Sequence, residues 1–166
     1  MEKALKIINE LQSEGLIKKY AIGGAFASLF YVDPITTYDL DIMIILEDDS
    51  KKLISLSPLY ERLLKRGYKP EKEHIIIEGI PIQFIPAYNN LVIEAVNFSV
   101  VKKYENTSTF VINPEYQIAI MLDTNRDKDR ERISRIIKET EVNLINLEKI
   151  LSKYNLTDKF KPFKSE

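Results

Sequence analysis

At 166 residues, 45% hydrophobic and 30% charged, the chain has the length and balance of one ordinary globular domain, expected to span residues 1–166, and is too short for two comfortable ones. Its 24 basic and 25 acidic side chains leave a net charge of −1, which argues against bulk nucleic-acid binding but not against a local basic patch. The absence of cysteine excludes disulfides, thiolate zinc sites and cysteine nucleophiles together, and is compatible with a reducing, cytoplasmic setting.

The first turn, Met1-Glu2-Lys3-Ala4-Leu5-Lys6, is charged and lacks the apolar core of a signal peptide. No apolar run approaches the ~20 residues needed to span a bilayer, so no membrane partner is expected. Leu5, Ile8, Leu11, Leu16 and Ile17 fall near helical spacing and predict an amphipathic helix over residues 2–18, with Gly15 interrupting late. A short strand, Tyr20-Ala21-Ile22, ends at Gly23-Gly24. Ala25 to Phe30 then reads as a small-residue helix that Pro34 must terminate. Thr36-Thr37-Tyr38 leads into a strand from Asp39 to Leu46, closed by Glu47-Asp48-Asp49-Ser50. Its apolar run, Ile42 to Leu46, suits an interior strand covered on both faces.

Ser57-Pro58 opens a helix with Leu59, Leu63 and Leu64 on one face and Gly67 as the stop. Two strand-like runs follow, His74 to Ile77 and Ile80 to Ile85, joined by the hairpin-like turn Glu78-Gly79. A short helix is expected at Asn90 to Val96. Val100 to Tyr104 and Thr107 to Ile112, split by Glu105-Asn106, form a second hairpin. Asn113-Pro114-Glu115 then opens a helical C-terminal third, with Asn as cap, Pro at the first position and Glu in the first turn. The expected helices run over 114–123, 127–139 and 143–154.

Chemistry concentrates where fourteen residues separate Gly24 from Asp39-Leu40-Asp41-Ile42. Side chains alternate along a strand, so Asp39 and Asp41 share one face while Leu40 and Ile42 enter the core. Two neighbouring carboxylates repel, and a site that keeps both ionised generally does so around a hard divalent cation such as Mg²⁺ or Mn²⁺. A Gly23-Gly24 turn lets backbone N–H groups approach a polyphosphate, and the following helix start favours negative charge. Such a set suits phosphoryl or nucleotidyl transfer, driven by positioning and charge neutralisation rather than by a protein nucleophile.

Ile22-Gly23-Gly24-Ala25 followed by Asp39-Leu40-Asp41-Ile42 resembles the nucleotidyltransferase superfamily related to DNA polymerase beta. The resemblance is nearest to small stand-alone prokaryotic domains, including the nucleotidyltransferase-like toxins of abortive-infection and toxin–antitoxin systems. It extends through Thr36 to Asp41, Gly79 to Ala87 and Arg126-Asp127-Lys128-Asp129-Arg130, and covers most of residues 20–137. It implies an α/β (α+β) fold, a small mixed sheet flanked by helices, with a helical C-terminal portion from about residue 114. It also implies Mg²⁺-dependent transfer of a nucleotidyl group from an NTP to a hydroxyl on a tRNA, a protein or a small molecule. Asp39 and Asp41 would be the catalytic metal ligands, and Gly23, Gly24, Arg126 and Lys128 the nucleotide contacts, with Asp129 orienting the cation beside it. An antitoxin or a helical partner protein is a further implication.

One departure bears on activity. Active members carry a third carboxylate on a later strand, and the matching polar position here, on Ile80 to Ile85, is Gln83. A glutamine can neither accept the proton nor neutralise a second metal. The alternative is therefore a catalytically degenerate relative that binds nucleotide or a partner protein without turnover.

Plainer readings stand beside these. Gly23-Gly24 alone is a strand-to-helix turn, and the Asp pair alone a solvated strand edge. His74, the only histidine, reads as a surface or strand-edge residue rather than a catalytic base. Glu47-Asp48-Asp49 reads as a solvated loop, Arg126 to Arg132 equally well as a solvated helical face of alternating charge, and the tyrosines as core and rim packing.

Overall fold

The computed structural model describes residues 1–32, 39–46 and 55–163. The expected stop at Pro34, the Thr36-Thr37-Tyr38 lead and the acidic 47–50 cluster lie outside the described residues.

Helix α1 (Glu2–Ser13) forms because Leu5, Ile8 and Leu11 recur on one face, and all three are fully buried. It is shorter than its periodicity suggested: Gly15 takes a left-handed φ of +77° and turns the chain, leaving Ile17 buried in a connection rather than a helix. Strand β1 (Lys19–Ile22) leads through Gly23 into α2 (Gly24–Ser28), and β2 (Leu40–Ile45) follows. Next come α3 (Ser57–Lys65), β3 (Lys69–Glu71), β4 (His74–Ile77), β5 (Ile80–Pro86) and α4 (Asn90–Asn97). The hairpin β6 (Val100–Tyr104) and β7 (Thr107–Val111) precedes α5 (Pro114–Thr124), α6 (Asp127–Glu139), α7 (Leu144–Lys153), α8 (Thr157–Phe160) and a final 3₁₀ turn (Lys161–Phe163).

Among the described residues, seven strands make one mixed sheet in the order β3-β4-β5-β2-β1-β7-β6. β2 runs parallel to β5 and β1 parallel to β7, while the remaining neighbours are antiparallel. Strand alternation then sorts the core. Leu40, Ile42, Ile44, Ile75, Ile77 and Ile82 face α1 and α3, whereas Ala21 and Met43 face the helices α4 to α8. The apolar run of β2 is thus covered on both sides, as its composition requires.

Three short elements, β3, α8 and the closing 3₁₀ turn, carried no signal. β3 is Lys69-Pro70-Glu71, wholly exposed at the sheet edge, where proline is tolerated because an edge strand has a neighbour on one side alone. α8 is a single turn held by tertiary packing of Phe160.

Helix α5 begins as its sequence requires: Asn113 accepts the Tyr116 N–H at 3.0 Å, with Pro114 at the first position. It is buried on almost every side from Pro114 to Leu122, so its polar residues need partners. Glu115 accepts the N–H of Asn143, the cap of α7, at 2.7 Å. Gln117 donates to the Ile112 carbonyl at 2.8 Å and accepts from Ser28 Oγ at 3.2 Å, tying α5 to the glycine-led helix α2. No helix among the described residues is long and apolar enough to cross a membrane.

Candidate active site

The Gly-Gly turn and the Asp strand meet directly. The Gly23 N–H donates to the Asp41 carbonyl at 2.9 Å, and Gly24 takes φ +58°, a conformation in which a side chain is strained. A Cβ on Gly24 would lie 2.0 Å from Asp41 Oδ2, and one on Gly23 would lie 2.8 Å from Met43 Cε. Gly24 is therefore required by the face that β2 presents, because the room left by its missing Cβ admits a carboxylate, whereas at Gly23 the flexible end of Met43 could yield to a side chain. Gly24 sets the turn's backbone against the Asp41 carboxylate.

Asp39 stands one residue before β2 on the same face, its side chain 47% exposed. Asp41 is more enclosed. Burial first, and then the Asp39 charge, hold its carboxyl above the ordinary carboxylate range, while Arg126, His74 and Lys128 act in the opposite direction. Three cationic or potentially cationic side chains from β4 and α6, and the turn before α6, thus converge on one acid.

Arg126 is the N-cap residue of α6 and lines the same cavity as Gly23, Gly24 and Asp41. Its Nε donates to Asp129 Oδ2 at 2.8 Å, and Arg132 Nη1 donates to Asp129 Oδ1 at 3.4 Å. Thr124 Oγ1 donates to the same carboxylate at 3.2 Å. Asp129 is only 1% exposed, so the alternating charges of this segment are not simply a solvated face: a buried acid anchors the two arginines. Arg126 itself stays half-exposed, with its outer edge available to a ligand. Lys128 is placed within electrostatic reach of Asp41.

Gln83 is the register partner of Asp41 across the parallel β2–β5 pair. The position expected for a third acid thus adjoins the Asp pair and holds a neutral amide. His74 opens β4 at the end of a strand, as one sequence reading had it, but it is largely buried rather than on the surface. Ile75 pairs with Ile82, so continuing the antiparallel register by one step sets His74 opposite Gln83, in one row with Asp41. Its side chain is 19% exposed, and Nε2 lies 3.5 Å from Asp39 Oδ2, long for a hydrogen bond. The available signal was the alternation of His74-Ile75-Ile76-Ile77: with Ile75 and Ile77 in the core, His74 must face the other way. Which side chains meet it there is decided by pairing between strands distant in sequence. Tyr88, Gln117 and Thr124 also line the cavity and were not singled out from sequence.

The order of the mixed sheet, the glycine turn seated on an Asp-x-Asp strand and the flanking helices define a nucleotidyltransferase-like α/β fold. Among solved structures, the chain is similar to the crystal structure of an antigenic nucleotidyltransferase-like protein from Paracoccidioides brasiliensis. The TM-score is 0.60 at 18% identity, over 98% of this chain and 88% of that one. No family model matches the sequence, and no curated protein matches it in a sequence comparison. At that identity the structural likeness establishes the fold, and chemistry has to be argued from the side chains.

Proposed function

We propose that this protein transfers a nucleotidyl group from a nucleoside triphosphate to a hydroxyl acceptor, with Asp39 and Asp41 holding a divalent cation, Mg²⁺ or Mn²⁺. The observation that carries the reading is the seating of Asp41 Oδ2 in the space left by Gly24, which sets a carboxylate against the backbone of a helix-opening turn. Two carboxylates suit one Mg²⁺ whose other ligands are water and substrate phosphate oxygens. Among the described residues no group of three or more His, Asp or Glu side chains is spaced to hold a metal unaided, so a substrate-completed site fits better than an all-protein cage. The ion, when bound, supplies charge neutralisation at the reacting phosphate.

The chain's own residues have separable tasks. Gly24 offers its backbone N–H to the triphosphate, and Gly23, whose own N–H is taken by the Asp41 carbonyl, lets the ligand approach the turn without a side chain in the way. Arg126, fixed by Asp129, offers a planar guanidinium edge to phosphate oxygens, and Lys128 adds a point charge. The acceptor hydroxyl belongs to a tRNA, a protein or a small molecule. On the sequence resemblance to toxin–antitoxin nucleotidyltransferases, an antitoxin or a helical partner protein is proposed as a companion, in a cytoplasmic setting.

A second reading, nucleotide binding without turnover, is favoured by Gln83. In register with Asp41 it offers a neutral amide oxygen where a third carboxylate would take up a proton or a second metal. Calorimetry with NTPs, with and without Mg²⁺, followed by incubation of α-labelled NTPs with total tRNA and with protein extract, separates the two. Metal-dependent binding that disappears in Asp39→Asn, together with label transfer, supports the transferase. Binding without transfer over long incubations supports the second reading, and no binding at all refutes both.

A further inference from the structure

The cleft beside Asp41 has a volume of about 110 Å³. It opens to solvent and is smaller than the ~300 Å³ at which clefts for small molecules usually begin, so a nucleoside triphosphate seated there extends beyond it. If its phosphates occupy the end formed by Gly24, Asp41 and Arg126, the base is left at the mouth. Among the described residues the aromatic lining that cleft is Tyr88, which is 57% exposed.

Tyr88 is displayed on an anchored stretch of backbone. On one side, the Ala87 N–H donates to the Ile44 carbonyl at 2.9 Å, tying the end of β5 to β2. On the other, Asn89 accepts the Val92 N–H at 2.8 Å as the cap of α4 and donates from Nδ2 to Asp123 of α5 at 3.3 Å. A large aromatic left in water between two such anchors is spared much of the ordering cost that a mobile loop would incur on binding. Its phenol is within electrostatic reach of Asp123 and of Arg126, which sets the ring beside the guanidinium given to the phosphates.

We propose that Tyr88 is the base-stacking platform of this site, an inference that rests on the nucleotidyl-transfer reading above. A phenol ring stacks on the face of any base and reads none of its edges, so the platform contributes affinity with weak base selectivity, larger for purines than for pyrimidines. The phosphate end of the site does not depend on it.

The test is calorimetric titration, in the presence of Mg²⁺, of the full chain and of Tyr88→Ala and Tyr88→Phe. The ligands are each of the four nucleoside triphosphates in turn and inorganic tripolyphosphate. Stacking predicts that Tyr88→Ala weakens the nucleoside triphosphates about tenfold, leaves tripolyphosphate within about twofold, and that Tyr88→Phe restores nucleotide affinity. Equal effects of Tyr88→Ala on both ligand classes, or no effect on either, would overturn the inference while leaving the nucleotide reading intact. If the unaltered protein binds neither class, the nucleotide reading falls and the inference falls with it.

Discussion

Replacing Gly24 with alanine tests the geometry on which the site rests. Two costs add. Alanine at φ +58° occupies the left-handed region, which costs an L-residue about 1–2 kcal/mol. The new Cβ would also stand 2.0 Å from Asp41 Oδ2, where real contacts do not fall below 3.0 Å, so the carboxylate must swing away. Forcing such a side chain off its rotamer costs about 0.5–1.5 kcal/mol more. The sum is about 1.5–3.5 kcal/mol, and at roughly 2–4 °C of Tm per kcal/mol for a chain of this size, a fall of about 3–14 °C. Gly15→Ala is the control, because Gly15 has φ +77° but nothing within 4 Å of its Cβ position. It should lose only the backbone share, about 1–2 kcal/mol. Differential scanning calorimetry of both variants gives the difference, and titration with Mg²⁺ and an NTP should show binding lost in Gly24→Ala and retained in Gly15→Ala. Equal Tm values for the two variants, or unchanged nucleotide binding by Gly24→Ala, would refute the wedge between the turn and the carboxylate.

Asp41→Asn should stabilise the metal-free protein at neutral pH, because burial and Asp39 raise the folded pKa of Asp41 above its ordinary value of 3.8. A raised carboxyl favours the folded state most at low pH, and that advantage is lost as pH climbs from near 3.8 through the folded value. The Tm of Asp41→Asn minus that of the unaltered protein, measured in EDTA, should therefore grow with pH and then level off; a flat difference sinks the assignment. Gln83→Glu sets a third acid in register with Asp41, and like charges on neighbouring strands should cost up to about 1 kcal/mol without metal. Thermal melts should show that loss recovered by Mg²⁺ or Mn²⁺, and a variant indifferent to metal would count against a cation at this site. Asp129→Asn removes the buried anchor of Arg126 and Arg132 and should cost about 2–4 kcal/mol in a denaturant titration, discounted because Arg126 is half-exposed. It should also weaken tripolyphosphate binding, and affinity equal to that of the unaltered protein would show that Arg126 does not hold phosphate.

Where the chain's local physics is strong, sequence and structure agree closely. The alternation of Asp39-Leu40-Asp41-Ile42 places both acids on one face, Asn113-Pro114 opens α5, and Gly67 lies just beyond the end of α3. These features rest on neighbours two to four residues apart, so their periodicity and capping are written locally. The edge strand Lys69-Pro70-Glu71 was illegible because it buries nothing and exists through pairing with β4. The first helix was overestimated because Leu16 and Ile17 keep a helical hydrophobic pattern past Gly15, where the backbone has already turned.

The site divides along the same line. Gly23-Gly24 and Asp39-x-Asp41 are visible as residue types in an order that chemistry makes sense of. That Gly24 must lack a Cβ because Asp41 fills the space, that His74 and Gln83 stand in one row with Asp41, and that Asp129 is a buried anchor for Arg126 all depend on contacts between distant segments. Such contacts are fixed by strand register and by the packing of α5 and α6 over the sheet, neither of which leaves a local trace. Alternation states which way a side chain points, and the fold supplies what it meets there.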